Sequence, residues 1–311
     1  MPFFTVIIPL FNKENYVHNC IQSVFNQTFT NYEIIIVNDG STDKSIAIVE
    51  NFKNQNIKII NHDNNKGLSA TRNTGIANAN SDYITFLDAD DAWKPTFLEN
   101  VLELINTFAE ARIFATNYEE KYRNKIVLPQ NNAIKLKKNS KQIIDFFSIN
   151  LGQGIYNHGS VCFHKSVFKK AGLYNENIDF AEDLDFNIRA NWHFKLAYSN
   201  TIGMQYSMQI EDQLTKTNIA NKRLPDYDKY NDWAAENLVF KKYLDFERYV
   251  LSKHLKIDGN SILSEKIIQS INLKNLNRKQ IFLLKSPILI LKFVRIFKNL
   301  LFKLNIKSHS Y

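Results

Sequence analysis

Asp88, Asp90 and Asp91 place three carboxylates within four residues, directly after the apolar run Tyr83–Leu87. Like charges that close repel, and each raises the pKa of its neighbours. A divalent cation that prefers oxygen, Mn²⁺ or Mg²⁺, relieves the repulsion and can also hold phosphates. A solvated acidic turn capping the next helix fits the same triplet taken alone. Asp39 follows another apolar run, inside Asn38-Asp-Gly-Ser-Thr-Asp43. A carboxylate there can accept hydrogen bonds from a nucleobase N–H or a ribose hydroxyl; an Asx turn before a helix also accounts for it. Glu182 and Asp183 open a helical stretch through Trp192. One of them can act as general base for an alcohol, although stabilisation by the helix dipole also explains acids at a helix start.

These acids need elements to hold them. Phe4–Leu10, Glu33–Val37, Ile57–Ile60 and Tyr83–Leu87 are short β-rich runs, almost wholly apolar. Such runs suit parallel strands covered on both faces. Helical patterns lie between them, at Val17–Phe25, from Ser41 or Thr42 to Asn51, and at Gly67–Ala79. The order βαβαβαβ predicts an α/β fold with a mostly parallel, Rossmann-like sheet flanked by helices. Ligands of such sheets sit beyond the carboxyl ends of the strands. Phe11-Asn12-Lys13, Asn38 to Ser41, His62 to Gly67, and Asp88 to Asp91 all fall there. Further on, strands are expected at Arg112–Asn117, Ile126–Leu128 and Ile155–His164, and helices at Lys141–Phe147 and Glu182–Trp192. Beyond Asp226 the pattern is helical, at Tyr230–Lys253, Ser261–Ile271 and Ser286–Leu304.

The chain has 311 residues, 44% apolar and 23% charged, which excludes disorder along its length and a multi-pass membrane protein. Its net charge is +8, but the excess is local. Residues 1–265 hold 29 basic and 31 acidic side chains; Lys266–Tyr311 holds ten basic and no acidic ones. A near-neutral body with a basic appendage argues against a nucleic-acid-binding core and for a separate anionic partner of the tail. Cys20 and Cys162 are too few for a disulfide framework and show no metal spacing. The opening Met1-Pro-Phe-Phe-Thr lacks a basic n-region, so no secretory signal and a cytoplasmic setting are expected.

Four segments in order resemble family 2 glycosyltransferases of the GT-A fold. They are Val6-Ile-Ile-Pro-Leu-Phe-Asn12, Glu33 to Asp43, Asn65-Lys-Gly-Leu-Ser-Ala-Thr-Arg-Asn73, and Phe86-Leu-Asp-Ala-Asp-Asp91. Gly172-Leu-Tyr-Asn-Glu176 with Ala181-Glu-Asp-Leu-Asp185 resembles the acceptor side of that family. The resemblance implies an inverting, metal-dependent hexosyl transfer from a nucleotide-diphosphate sugar, UDP-linked by default. The acceptor would be a glycan or lipid-linked glycan, in bacterial surface polysaccharide synthesis. Asp39 would hold the nucleobase, with Pro9, Phe11 and Asn12 beside it. Arg72 would contact the nucleotide or its phosphates, and Asp88 the ribose or donor sugar. Asp90 would ligate the metal, helped by Asp88 and Asp91. Asp183 would be the general base and Glu182 its neighbour at the acceptor edge. Many relatives carry a basic or histidine-bearing segment near the end of the catalytic core. Gln209 stands at the comparable place here, which would shift a phosphate role to Lys216 or Arg223. Residues 1–225 would form the GT-A domain, with a nucleotide-sugar half at 1–110 and an acceptor half at 111–225; residues 226–311 would form a helical extension.

Other readings are weaker. No GxGxxG follows the first strand, so a dinucleotide-dependent oxidoreductase does not fit. A nucleotidyltransferase or a non-catalytic sugar-nucleotide-binding protein shares the sheet and the acids. His158, Ser160, His164, His193, Trp93 and Cys162 read more readily as structural residues than as site residues. In the tail, Ser286-Pro287 reads as a helix start. Ile290, Phe293, Val294, Phe297, Leu301 and Leu304 follow on one face, with Lys292, Arg295, Lys298 and Lys303 around the rest. That pattern is too charged to span a bilayer. It suits a helix lying on an anionic membrane surface through residues 286–304, or one packed on the protein or a second subunit.

Overall fold

A computed structural model of the chain describes residues 1–52, 56–122, 125–128, 136–208, 210 and 217–303, with side chains to residue 297. Two compact units emerge. The first holds the described residues from Met1 to Phe146 and from Gly154 to Ile210; the second holds Phe147–Gln153 and those from Thr217 onward.

The first unit alternates β1 (Phe4–Leu10), α1 (Val17–Phe25), β2 (Tyr32–Asn38), α2 (Ser45–Glu50), β3 (Ile57–Asn61), α3 (Leu68–Ala77) and β4 (Tyr83–Phe86). It continues with β5 (Ala92–Trp93), α4 (Phe97–Thr107), β6 (Ala111–Tyr122), β7 (Lys125–Val127) and β8 (Lys141–Ile144). The one-turn helix α5 (Phe146–Ile149) bridges into the second unit, and β9 (Val161–His164), α6 (Ser166–Ala171), α7 (Glu182–His193) and β10 (Lys195–Ser207) complete the first. One sheet runs β3-β2-β1-β4-β9-β6-β10-β5, with β7 on β6 and β8 on β10. β3, β2, β1 and β4 are parallel, as are β6 and β10, while β9 runs antiparallel to both neighbours.

β1 is buried at every residue, which is why its sequence is apolar without alternation. Phe4, Val6, Ile8 and Leu10 meet Val17, Ile21 and Val24 of α1 on one face. On the other face Ile7 meets α3, where a Cβ on Gly75 would lie 2.5 Å from Ile7 Cγ2. Only glycine lets α3 sit that close to β1.

Several elements differ from the sequence expectation. Lys141–Phe147 is not a helix: Lys141–Ile144 pairs antiparallel with Leu196–Ser199 of β10, and a strand partner decides between two patterns that a short apolar run leaves open. The expected strand Ile155–His164 begins only at Val161, because Asn157 and Ser160 close a capping box over a 3₁₀ turn. α4 buries Phe97, Leu98, Val101 and Leu104, and β10 runs for 13 residues; the sequence pattern predicts neither. β10 hides its strand character because its register shifts around Ser199–Met204.

The second unit holds α8 (Asn231–Glu236), α9 (Leu238–Asp258), α10 (Ser261–Gln269), α11 (Arg278–Lys285) and α12 (Ile288–Lys303). The single helix expected at Tyr230–Lys253 breaks at Asn237, whose side chain caps α9 by accepting from Val239 and Phe240 N–H at 2.9 and 3.0 Å. Phe246, Tyr249, Leu276, Leu283, Leu284 and Leu291 form its core. Ser286 does not cap α12; its hydroxyl donates to Phe282 O at 2.8 Å, and the helix starts after Pro287. The apolar face expected for α12 is divided in the structure. Leu291 and Val294 pack inward, whereas Ile290, Phe293 and Phe297 are 39%, 67% and 48% exposed. The Leu301 side chain and Leu304 lie outside the described residues. Among the described residues no helix is long and apolar enough to cross a membrane.

Candidate active site

The candidate site lies wholly in the first unit, beyond the carboxyl ends of β1, β2, β3 and β4. Leu10 ends β1 and the next loop is tied to the loop after β2. Asn12, at φ 50°, accepts from Thr42 N–H at 2.8 Å and donates its own N–H to Ser41 Oγ at 3.1 Å. Lys13 N–H donates to Ser45 Oγ at 2.7 Å. Pro9 is buried within β1, while Phe11 projects at the strand end, 43% exposed.

Asp39 is 3% exposed and its carboxylate is fully engaged. Oδ1 accepts Lys66 N–H at 2.8 Å and lies 2.7 Å from His62 Nδ1; Oδ2 accepts Gly67 N–H at 2.9 Å. Gly67, at φ 91°, turns the chain into α3 at a conformation that L side chains rarely adopt. His62 Nε2 is 2.9 Å from Thr74 Oγ1, so one imidazole links Asp39 to α3. Asp39 thus fixes the loop that launches the Arg72 helix. His62 is a contributor that motif reasoning passed over, although its place after the third strand was visible.

α3 carries Arg72, 2% exposed and turned inward. Its Nη1 donates to Glu182 Oε1 at 2.8 Å and its Nη2 to Asp88 Oδ1 at 3.3 Å. The guanidinium also stands 5.4 Å from the Tyr174 ring centre. Asp88 and Glu182 together hold the guanidinium charged despite its burial. One cation therefore ties the acidic turn to the start of α7. Asn73, next in sequence, exchanges two hydrogen bonds with the Tyr174 backbone at 3.0 Å.

The three aspartates of the acidic turn each take a different partner. Asp88 faces Arg72, Asp90 Oδ2 lies 2.9 Å from Lys13 Nζ, and Asp91 Oδ1 accepts Ser207 N–H at 2.7 Å. Burial and then the Asp88 charge push the Asp90 carboxyl up. Burial and the Asp90 and Asp88 charges push Asp91 well up, and its Oδ2 is buried without a partner. Cys20 Sγ reaches Asp88 O at 3.6 Å from beneath the turn. Among the described residues no three His, Cys, Asp or Glu side chains form a ready-made metal cluster. The donor chemistry of Asp88 and Asp90 nevertheless fits Mn²⁺ or Mg²⁺. Both offer hard carboxylate oxygens, and a cation, the Lys13 ammonium, already sits on Asp90. Such ions use one or two carboxylates together with substrate phosphates and water. Lys13 was another contributor missed at the level of motifs.

Ala181 adopts a left-handed conformation, φ 62°, and sets Glu182 and Asp183 at the N-terminus of α7. Non-glycine residues occupy that region at a cost and mostly where surrounding structure enforces it. Glu182 is 7% exposed. Burial first, and Asp183 next, push its carboxyl up to about 7, against the pull of Arg72. Asp183 Oδ1 accepts Leu184 N–H at 2.8 Å, and burial raises its carboxyl too, opposed by Arg72. A carboxylate with a raised pKa is a better proton acceptor.

The profile of glycosyl transferase family 2 matches residues 5–172. The chain belongs to that family. It is 42% identical over 115 residues to glycosyltransferase GlyA of Streptococcus pneumoniae, covering 37% of this chain and 16% of that one. It is 44% identical over 108 residues to the minor teichoic acid biosynthesis protein GgaA of Bacillus subtilis, covering 32% and 24%. The chain therefore spans less than a quarter of either relative's length. The crystal structure of S. aureus TarS 1–349 in complex with UDP-GlcNAc shares the fold, with a TM-score of 0.64 at 16% identity over 88% of this chain and 82% of that one. The matched family region contains Asp39, Arg72 and the acidic turn.

Most of the residues that read as structural are built into the fold. Trp93 is 4% exposed and donates Nε1–H to Gly159 O at 2.7 Å. His158 Nε2 is 2.7 Å from the Tyr174 hydroxyl, and burial lowers its pKa well below the ordinary value. Ser160 donates to Asn157 O at 3.0 Å, Cys162 is buried, His164 Nδ1 meets Ser166 Oγ at 2.8 Å, and His193 is exposed. Gln209 and Lys216 lie outside the described residues; Arg223 is exposed on the second unit.

Proposed function

We propose that this member of the family is an inverting glycosyltransferase. It moves a sugar from a nucleotide-diphosphate donor, UDP-linked, to a hydroxyl of a glycan or lipid-linked glycan. The observation that carries the reading is the Glu182–Arg72–Asp88 bridge, because it joins the base-bearing start of α7 to the acidic turn in one network. The UDP-GlcNAc complex of TarS and the teichoic acid role in the name of GgaA support the donor and acceptor classes.

In this reading the strand-end crevice of Asn12, Asp39 and Gly67 receives the nucleotide. Asp88 and Asp90 would hold Mn²⁺ or Mg²⁺ together with diphosphate oxygens, and the ion would neutralise charge on the leaving diphosphate. Lys13, freed from Asp90, adds a second cation beside the same phosphates. Arg72 keeps Asp88 and α7 in register. Asp183 takes the proton of the acceptor hydroxyl as its oxygen attacks the anomeric carbon. The bond to the diphosphate breaks on the opposite side, and its electron pair leaves with the phosphate oxygen. The configuration inverts in one displacement, so no covalent sugar–enzyme intermediate forms. Base catalysis of this kind contributes about 10²–10⁴-fold. A peripheral position at the inner face of the cell membrane follows from a lipid-linked acceptor.

The test is a panel of sugar nucleotides offered with Mn²⁺ or Mg²⁺. Expected is slow release of a nucleoside diphosphate from one of them. Pyrophosphate release from a nucleoside triphosphate offered with a sugar phosphate, and no nucleoside diphosphate from any sugar nucleotide, would make the protein a nucleotidyltransferase instead.

A further inference from the structure

Leu289, Ile290, Phe293, Ile296 and Phe297 of α12 are all exposed, between 39% and 76%. At about 100° per residue they share an arc of about 120°. Phe293 and Phe297 stack at 6.2 Å along it. The helix cannot roll this arc inward, because Leu291 and Val294 on its other side are packed against the Phe246, Tyr249, Leu283 and Leu284 cluster. Lys292 borders the arc, and Arg295 follows farther round; both are exposed. Every described basic side chain from Lys266 to Arg295 is exposed, and no acid follows Glu265 in the sequence.

We infer that this arc is the surface by which the chain lies on an anionic lipid bilayer, its apolar side chains at the acyl boundary and its bases among the headgroups. The inference deepens the peripheral placement proposed above and does not depend on the transfer chemistry. Three observations select lipid. The arc mixes aliphatic and aromatic residues with a basic border, the composition of interfacial helices. The chain beyond Glu265 carries bases and no acid, which suits a continuous anionic surface. A second copy of the chain would bring two equally basic tails together, and like charges oppose that contact. The sixteen residues of α12 are held flat by their own unit, and no helix of the described residues is apolar and long enough to insert across the bilayer.

The full chain is floated with vesicles of phosphatidylcholine alone and of phosphatidylcholine mixed with phosphatidylglycerol. Expected is binding to the mixed vesicles that weakens with salt. Lys292→Gln with Arg295→Gln lowers partitioning about 30-fold, equivalent to about 1 kcal/mol per charge. Phe293→Ser with Phe297→Ser lowers it about 100-fold, and because both rings are exposed the fold survives. Equal partitioning of wild type and both double variants would overturn the inference. So would equal binding to the two vesicle types. A wild-type dimer in sedimentation that the Phe variant dissolves, with vesicle binding unchanged, would assign the arc to a contact between copies and also overturn it. Sugar-nucleotide turnover is measured on the same samples. Turnover without vesicle binding sinks this inference alone, and vesicle binding without turnover on any donor sinks the transferase reading alone.

Discussion

Glu182→Gln isolates the most consequential electrostatic feature of the site. Glu182 is buried, bonded to Arg72 at 2.8 Å, and its carboxyl is pushed up to about 7 from an ordinary 4.5. An acid whose pKa is higher in the fold than in the unfolded chain carries more protons when folded. Its contribution to stability is full below the ordinary value and is lost as pH rises to about 7. The rise corresponds to about 3 kcal/mol. Glutamine keeps the shape and the acceptor for Arg72 but cannot ionise. The variant should therefore match wild type in mild acid and gain on it by about 3 kcal/mol toward neutral pH. For a protein of 311 residues that is a Tm difference of roughly 5 °C. Urea unfolding of both proteins across the interval, followed by tryptophan fluorescence, measures it. A stability difference that stays constant with pH would refute the reasoning. So would a wild type that gains on the variant as pH rises, because Arg72 would then hold Glu182 ionised throughout.

Three further outcomes follow from the geometry. Asp90→Ala removes a carboxylate from the acidic turn and releases Lys13, so turnover with Mn²⁺ should fall by about 10²-fold or more while the Tm changes little; retained turnover would place the metal elsewhere. Asp39→Ala strips three hydrogen bonds from His62 and the Lys66–Gly67 backbone, and should cost about 1–3 kcal/mol in urea unfolding together with a higher Kd for the sugar nucleotide by titration calorimetry. Gly75→Ala forces a Cβ to within 2.5 Å of Ile7 Cγ2 and should lower stability by about 1–3 kcal/mol; a neutral result would mean that α3 can shift away from β1.

The strand-end acids were legible in the sequence because parallel strands buried on both faces read as unbroken apolar runs. β1, α1 and β4 follow the sequence reading to within a residue or so for that reason. What the sequence hides is partnership. Asp88, Asp90 and Asp91 look like one cluster in the chain, and only the fold shows that Arg72, Lys13 and the Ser207 backbone partner them separately. Glu182 reads as a neighbour of the base, and only the fold, across more than a hundred residues of chain, makes it the partner of Arg72. β8 and β10 escaped for the same reason: short or bulged strands take their identity from each other. In α12, periodicity found the amphipathic helix and grouped Ile290, Phe293 and Phe297, which are exposed, but it also grouped Val294 with them, because the inward seam of Leu291 and Val294 is too narrow for a pattern to single out.

Asp183→Asn tests the central claim most directly. Donor binding is followed by calorimetry and transfer by nucleoside diphosphate release in the presence of an acceptor. Expected is donor affinity within a few-fold of wild type and transfer lowered by about 10²–10⁴-fold. Undiminished transfer in that variant would contradict the assignment of Asp183 as the base and, with it, the proposed chemistry of the site.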